Sequence, residues 1–157
     1  MTSNTNCTVL QRSSNIHLVS DTPKGRAIYA NEPIPSGTII DTCPVLVLPS
    51  SEEEFIRKTQ LWHYTYHWPG SDPATICQAV VFGLGSLFNH SRRNQNVGWM
   101  RNLEKQTITY TALRDIEKGE ELCVSYGDDL TFEDVEKDED DGENEGGGLM
   151  DIEIGNS

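Results

Sequence analysis

The chain is short of cysteine, of basic residues and of long apolar runs. Its four cysteines, Cys7, Cys43, Cys77 and Cys123, are scattered, and no two form a C-x-x-C pair. That spacing argues against a zinc cluster, and with no secretory signal in view it favours reduced thiols inside the fold. Lys and Arg number 12 against 25 Asp and Glu, for a net charge of −13. Phosphate contacts need a basic face, so direct nucleic-acid binding is excluded as a main role, while cationic partners stay open. The longest aliphatic run, Val45-Leu46-Val47-Leu48, falls far below the roughly 20 residues that cross a bilayer, and no membrane role is expected. The polar stretch 1–15 has no apolar signal-peptide core. His63 and His67 stand four apart, but Pro69 and the intervening aromatics do not suit a helical metal pair, so no metal is expected. Gly83-Leu84-Gly85 lacks the third glycine of a dinucleotide site, no Walker pattern occurs, and no tandem repeat is seen.

What is present is divided unevenly. Residues 132–157 carry 11 acids and one base, net −10, leaving a near-neutral body of net −3. Apolar residues almost vanish after Glu133, so that stretch cannot offset its ordering entropy. The chain therefore reads as a frayed N-terminus over 1–14, one domain over 15–132 and an acidic disordered tail over 133–157. Within the body, β-branched and apolar residues predict strands at 16–19, 26–30, 38–48, 97–101, 107–113 and 121–126. Ser51-Glu52-Glu53-Glu54 matches a capping box and predicts a helix over 55–62. The apolar stretch 76–88 suits a buried helix or a buried strand equally, because periodicity does not separate them. Short strands, short helices and frequent turns make a β-rich α+β domain.

Three segments carry the chemistry. The first is Lys24-Gly25-Arg26-Ala27-Ile28-Tyr29-Ala30, in which Gly25 permits close backbone approach. The second is Gly83-Leu84-Gly85-Ser86-Leu87-Phe88-Asn89-His90-Ser91, followed by Asn96-Val97. Its Asn89-His90 pair closes an apolar run and must be hydrogen-bonded if buried. The third is Ile116-Glu117-Lys118-Gly119-Glu120-Glu121-Leu122-Cys123-Val124-Ser125-Tyr126-Gly127-Asp128. Read alone, each suits a structural role. In this order and spacing, over about 16–129, they resemble the SET domain of protein lysine methyltransferases, and most of all its minimal fungal and viral type.

The resemblance implies a β-clip fold of small antiparallel sheets with a C-terminal pseudoknot, in which the chain around Tyr126 passes beneath the loop bearing Asn89 and His90, an exception to the no-knot rule. It implies S-adenosylmethionine as cofactor, held by Lys24, Gly25, Arg26, Ala27, Ile28 and Tyr29 on one wall and by Asn89, His90, Tyr64 and Tyr126 on the other. It implies Tyr126 and Tyr64 as the catalytic pair, Tyr126 aiming its hydroxyl at the reacting methyl and lysine nitrogen. Tyr66 and Phe132 fall to the substrate channel. The family usually has a second glycine where this chain has Ala27, a methyl tolerable only if the backbone there is not at positive φ.

Two departures stand out. No cysteine follows Cys123, so the zinc module that commonly completes the lysine channel after the SET domain is expected to be absent. Leu130-Thr131-Phe132, the substrate or a second copy must then cover the channel. A homodimer through Leu84, Leu87 or Trp99 is one such arrangement. The second departure is Arg92-Arg93-Asn94-Gln95-Asn96, where the family usually has a shorter link with proline before the asparagine, and it reads as a loop insertion with two solvated arginines. The reading is thus a histone lysine methyltransferase, on an H3 tail, in the nucleus or also the cytoplasm, acting on a lysine-containing basic protein. Its rivals are a catalytically idle SET-like module that binds histones through its acidic tail, and a methyltransferase with a non-histone substrate.

Overall fold

The computed structural model describes residues 7–125. β1 (Ile16–Thr22) and β2 (Gly25–Ala30) form an antiparallel hairpin. The Thr22 hydroxyl closes its turn, donating to the Gly25 carbonyl at 2.6 Å and accepting from the Lys24 amide at 3.2 Å, while Gly25 takes φ +87°. The main sheet is built around β3 (Ile39–Leu48), with β4 (Thr65–Pro69), β5 (Ile76–Val81), β7 (Val97–Asn102) and β8 (Thr107–Ala112). Its five antiparallel strands run in the order β4-β5-β3-β8-β7. β6 (Asn89–His90) and β9 (Cys123–Val124) make a small parallel pair. One core, with Ile28, Phe88, Ile108 and Tyr110 at its centre, joins the hairpin, the sheet and the parallel pair.

The ambiguous stretch 76–88 proves to be a strand followed by a turn. β5 lies between β3 and β4 and buries residues on both faces, as an interior strand does. The predicted helix 55–62 is broken instead. A 3-10 turn at Ser50–Glu52 leads into α1 (Glu53–Ile56), and a second 3-10 turn spans Gln60–Tyr64. No side-chain cap hydrogen bond forms at α1. Only Ile56 of α1 is buried and Phe55 points to solvent, so no apolar stripe anchors a longer helix, and one turn alone does not persist. Thr59, extended at φ −121°, ends the element, and its hydroxyl takes the Ile56 carbonyl at 2.8 Å.

The stretch 1–14, expected to be frayed, is tied down from Gln11 to Ser13. The Thr42 amide donates to the Gln11 carbonyl and the Ser13 amide to the Ile40 carbonyl, both at 2.8 Å, adding a short strand-like contact beside β3. The predicted strand 121–126 shortens to the two residues of β9 among those described. Leu84, Leu87 and Trp99, named as a dimer face, are half-buried and pack on the core. Cys43, Cys77 and Cys123 are buried, Cys7 is exposed, and no disulfide joins them. Among the described residues, no helix is long and apolar enough to cross a membrane.

Candidate functional site

The three sequence segments meet where the third is laid between the other two. Along β2 it is held by the Ala30 amide on the Glu120 carbonyl at 2.9 Å and by the Leu122 amide on the Ile28 carbonyl at 2.8 Å. Glu121 bridges Tyr29 in antiparallel register. On its other side Cys123 and Val124 pair with Asn89 and His90. The 91–96 loop then closes over β9, with the Ser91 amide on the Val124 carbonyl at 3.0 Å and the Asn96 amide on the Cys123 carbonyl at 3.2 Å.

Asn96 is the fastener. It is fully buried, accepts from the Cys123 amide at 2.8 Å, and donates to the Glu121 carbonyl at 2.8 Å and to a Glu120 carboxylate oxygen at 3.3 Å. Glu120 also accepts from the Arg114 guanidinium and, at 3.0 Å, from the Glu117 amide. The Arg114 contact, aided by the Glu117 and Asn96 bonds, holds the Glu120 carboxyl down to about 2. A depressed folded value stabilises above the unfolded value and is lost as pH falls. Stability from this group is therefore complete above about pH 4.5 and disappears through about pH 2. Urea titrations at stepped pH are expected to show Glu120→Gln losing less stability than wild type across that window. Parallel loss in both proteins would remove Glu120 from the acid response.

Beside this fastener, Asn89 gathers the polar groups. Its side-chain amide donates to the Glu121 carboxylate at 2.9 Å and to the Arg26 carbonyl at 3.2 Å. Lys24 brings its ammonium to the other Glu121 oxygen at 3.7 Å. One residue from each of the first two segments thus converges on Glu121 of the third. Ala27 and Ile28 are buried, and Ala27 has a negative φ, since only Gln106 among the described non-glycine residues is positive. The methyl of Ala27 therefore does not disturb that wall. Tyr29 is half-buried, with its ring 6.2 Å from that of His17, and His90 is buried next to Asn89.

The tyrosines are placed unequally. Tyr64 is 38% exposed, and its carbonyl accepts from the Ser86 hydroxyl at 3.2 Å. Tyr66 is buried, donates its hydroxyl to the Gly85 carbonyl at 2.9 Å, and stacks edge-on against Trp99 at 5.6 Å. Its hydroxyl thereby holds the turn that precedes Asn89. Trp99 in turn donates to the Ser125 carbonyl at 3.4 Å. Tyr126 and Phe132 lie outside the described residues. Residue-level reading missed Glu121, Asn96 and Asp41 as organising groups. The doubled acid Glu120-Glu121 was visible within the third motif, but not which carboxylate turns to Arg114 and which to Asn89.

Comparison with known proteins gives the family. The SET domain matches residues 25–127. A Schizosaccharomyces pombe protein named histone-lysine N-methyltransferase, H3 lysine-37 specific, is 45% identical over 112 residues, 71% of this chain and 72% of that protein. CpSET8 from Cryptosporidium superposes with a TM-score of 0.57 at 26% identity, over 74% of this chain and 59% of that one. A Plasmodium falciparum protein described as a candidate histone methyltransferase shares the fold, with a TM-score of 0.54 at 24% identity over 76% of this chain and 96% of that one. With 103 contiguous residues of the chain, 25–127, matched and that level of identity to a curated relative, this chain belongs to the SET domain family.

Proposed function

We propose that the chain is an S-adenosylmethionine-dependent protein lysine N-methyltransferase acting on a histone H3 tail lysine. The observation that carries the reading is the convergence of Asn89 and Lys24 on the Glu121 carboxylate, with the Asn89 amide also bound to the Arg26 carbonyl. The groups there suit the amino-acid end of the cofactor. The Glu121 carboxylate and the Asn89 amide oxygen can receive an ammonium, and Lys24 can receive a carboxylate. Gly25 has open space where a Cβ would stand, so the backbone beside it can be approached closely.

When bound, S-adenosylmethionine supplies an electrophilic sulfonium methyl. The chain's own residues bind and position. Lys24 to Tyr29 form one wall, largely through backbone, and Asn89 with His90 the other. A lysine with its ordinary pKa of about 10.4 is protonated at neutral pH and must shed that proton before attacking. A desolvated aromatic channel disfavours the ammonium form. Tyr126 and Tyr64 hold the nitrogen in line, Tyr66 and Phe132 complete the channel, and catalysis is mainly positioning. No carboxylate is needed as base.

The substrate follows from charge and kinship. A chain of net −13 attracts a basic peptide, and the S. pombe relative is named for a lysine of H3. To the same reading belong an acidic stretch at 133–157 that steers such a peptide, a second copy covering the channel, and residence in the nucleus with a cytoplasmic pool. Incubation with methyl-labelled cofactor and core histones tests the activity. Wild type is expected to label H3, and Tyr126→Phe to retain a small fraction of that transfer. Equal labelling by both would sink the role of Tyr126. Histone binding by a wild type that shows neither cofactor binding nor transfer would instead favour the idle histone-binding module.

A further inference from the structure

Asp41 is a carboxylate with its side chain only 3% exposed, on the central strand β3, and the chemistry assigned above does not use it. Arg12 grips it from the N-terminal segment with both prongs of its fork, Nε to Oδ1 at 3.3 Å and Nη2 to Oδ2 at 3.2 Å. The same Oδ2 accepts from the Leu84 amide at 3.0 Å and from the Cys43 thiol at 3.0 Å. Burial, with Asp41 adjacent, pushes the Cys43 thiol up to about 12, so it stays a protonated donor. The carboxylate is therefore satisfied on both oxygens, and one of its partners is the backbone of the G-x-G turn.

That turn is built to fit against it. Gly83 has φ +129°, and a Cβ there would stand 2.8 Å from the Cys43 sulfur and 2.9 Å from Asp41 Oδ2. A Cβ on Gly85 would lie 2.2 Å from the Tyr110 hydroxyl, so this residue too is pressed onto the core. From Leu84 the turn continues as a 3-10 element, with the Leu87 amide on the Leu84 carbonyl at 2.8 Å and the Tyr66 hydroxyl on the Gly85 carbonyl. Phe88 then packs on Tyr110 at 5.1 Å, and the next residue is Asn89. The Leu84 amide, the Gly85 carbonyl, the Leu87 amide and the Phe88 ring each have a partner, which couples a shift at Leu84 to Asn89.

We infer that Arg12, acting through Asp41, is a positioning residue for the cofactor wall: the pair sets the G-x-G turn that delivers Asn89. The N-terminal segment is thereby a clamp on the site, held by an arginine that is itself 54% exposed and can be changed without excavating the core. The cofactor part of this inference rests on the methyltransferase reading, and the mechanical part does not. Removing Arg12 leaves a buried carboxylate without its counter-charge, which strains the remaining Leu84 and Cys43 bonds.

The test uses the full chain as wild type, Arg12→Ala and Arg12→Lys. Amide and side-chain NMR reads the mechanical link. In Arg12→Ala the Leu84 amide and the Asn89 side-chain amide are expected to shift, with a Tm lower by roughly 5 °C. Kinetics well below that Tm read the functional link. KM for S-adenosylmethionine is expected to rise roughly fivefold to tenfold with kcat at saturating cofactor nearly unchanged, a coupling of ordinary size between linked sites. Arg12→Lys, which restores the charge but not the fork, recovers part of both. A lower Tm with unmoved Asn89 resonances and unchanged KM would make the pair merely structural and overturn the inference. If wild type binds no cofactor, the functional reading fails, and the Asn89 resonances still decide whether Arg12 reaches that residue.

Discussion

Asn96→Ala is expected to cost the domain about 3 to 5 kcal/mol, because it orphans two buried backbone groups at once. The Cys123 amide and the Glu121 carbonyl both face the fully buried Asn96 side chain at 2.8 Å. Each such group left unsatisfied costs roughly 1 to 3 kcal/mol, and the cavity adds to this. Against a typical total of about 5 to 15 kcal/mol, that loss leaves much of the protein unfolded near physiological temperature. Asn96→Asp does not rescue it. The carboxylate keeps an acceptor for Cys123, loses the donor for the Glu121 carbonyl, and sets a second negative charge against Glu120. Gln95→Ala is the contrast, since its side chain makes one 3.2 Å bond to the Val97 carbonyl and its loss should cost under about 1 kcal/mol. Urea melts of the three variants decide the matter. A loss below about 1 kcal/mol for Asn96→Ala would mean that β9 is held by its backbone bonds to β6 and to the 91–96 loop rather than by the Asn96 side chain.

Asn96 was legible as part of the second motif, but its partners were not. It stands after Arg92-Arg93-Asn94-Gln95, which reads as a solvated insertion, and its partners are 24 to 27 residues away. The strands were legible where residue type and local alternation agree, as in β2, β7 and β8, because a strand face is a local property. The helix over 55–62 was misread for the converse reason. Its capping signature is local, but whether an apolar face finds a partner is not, and Phe55 found none. The site was legible as three motifs and a family resemblance, while its wiring was not. Arg12 and Asp41 are single charges 29 residues apart, and only the fold makes one the buried counter-charge of the other. Tyr126, on which the resemblance places most of the chemistry, was legible from its motif position before Gly127.

Within the site, Asn89→Ala is expected to weaken S-adenosylmethionine binding by about 100-fold, and Glu121→Gln by somewhat less. The two side chains touch at 2.9 Å, and Asn89 also reaches the Arg26 carbonyl, so it fixes the wall as well as the carboxylate. A hydrogen bond to a charged group contributes about 1.5 to 3 kcal/mol, which is the range of a tenfold to 150-fold change in affinity. Because both residues act at one point, their effects should not add. The double variant is expected to bind only slightly more weakly than Asn89→Ala alone, leaving an interaction term of about 1 kcal/mol or more in the cycle. Lys24→Ala should behave differently. Its ion pair to Glu121 is long, at 3.7 Å, and partly exposed on both sides, so a change below about threefold that shrinks further with added salt is expected. Calorimetric titration of cofactor into each folded variant measures all four. Additive losses from Asn89 and Glu121 would place them at separate subsites. An unchanged affinity in folded Asn89→Ala would remove this cluster from the cofactor site altogether. A Lys24 effect as large as that of Asn89 would mean that the ammonium, rather than the carboxamide, is the principal anchor on that wall.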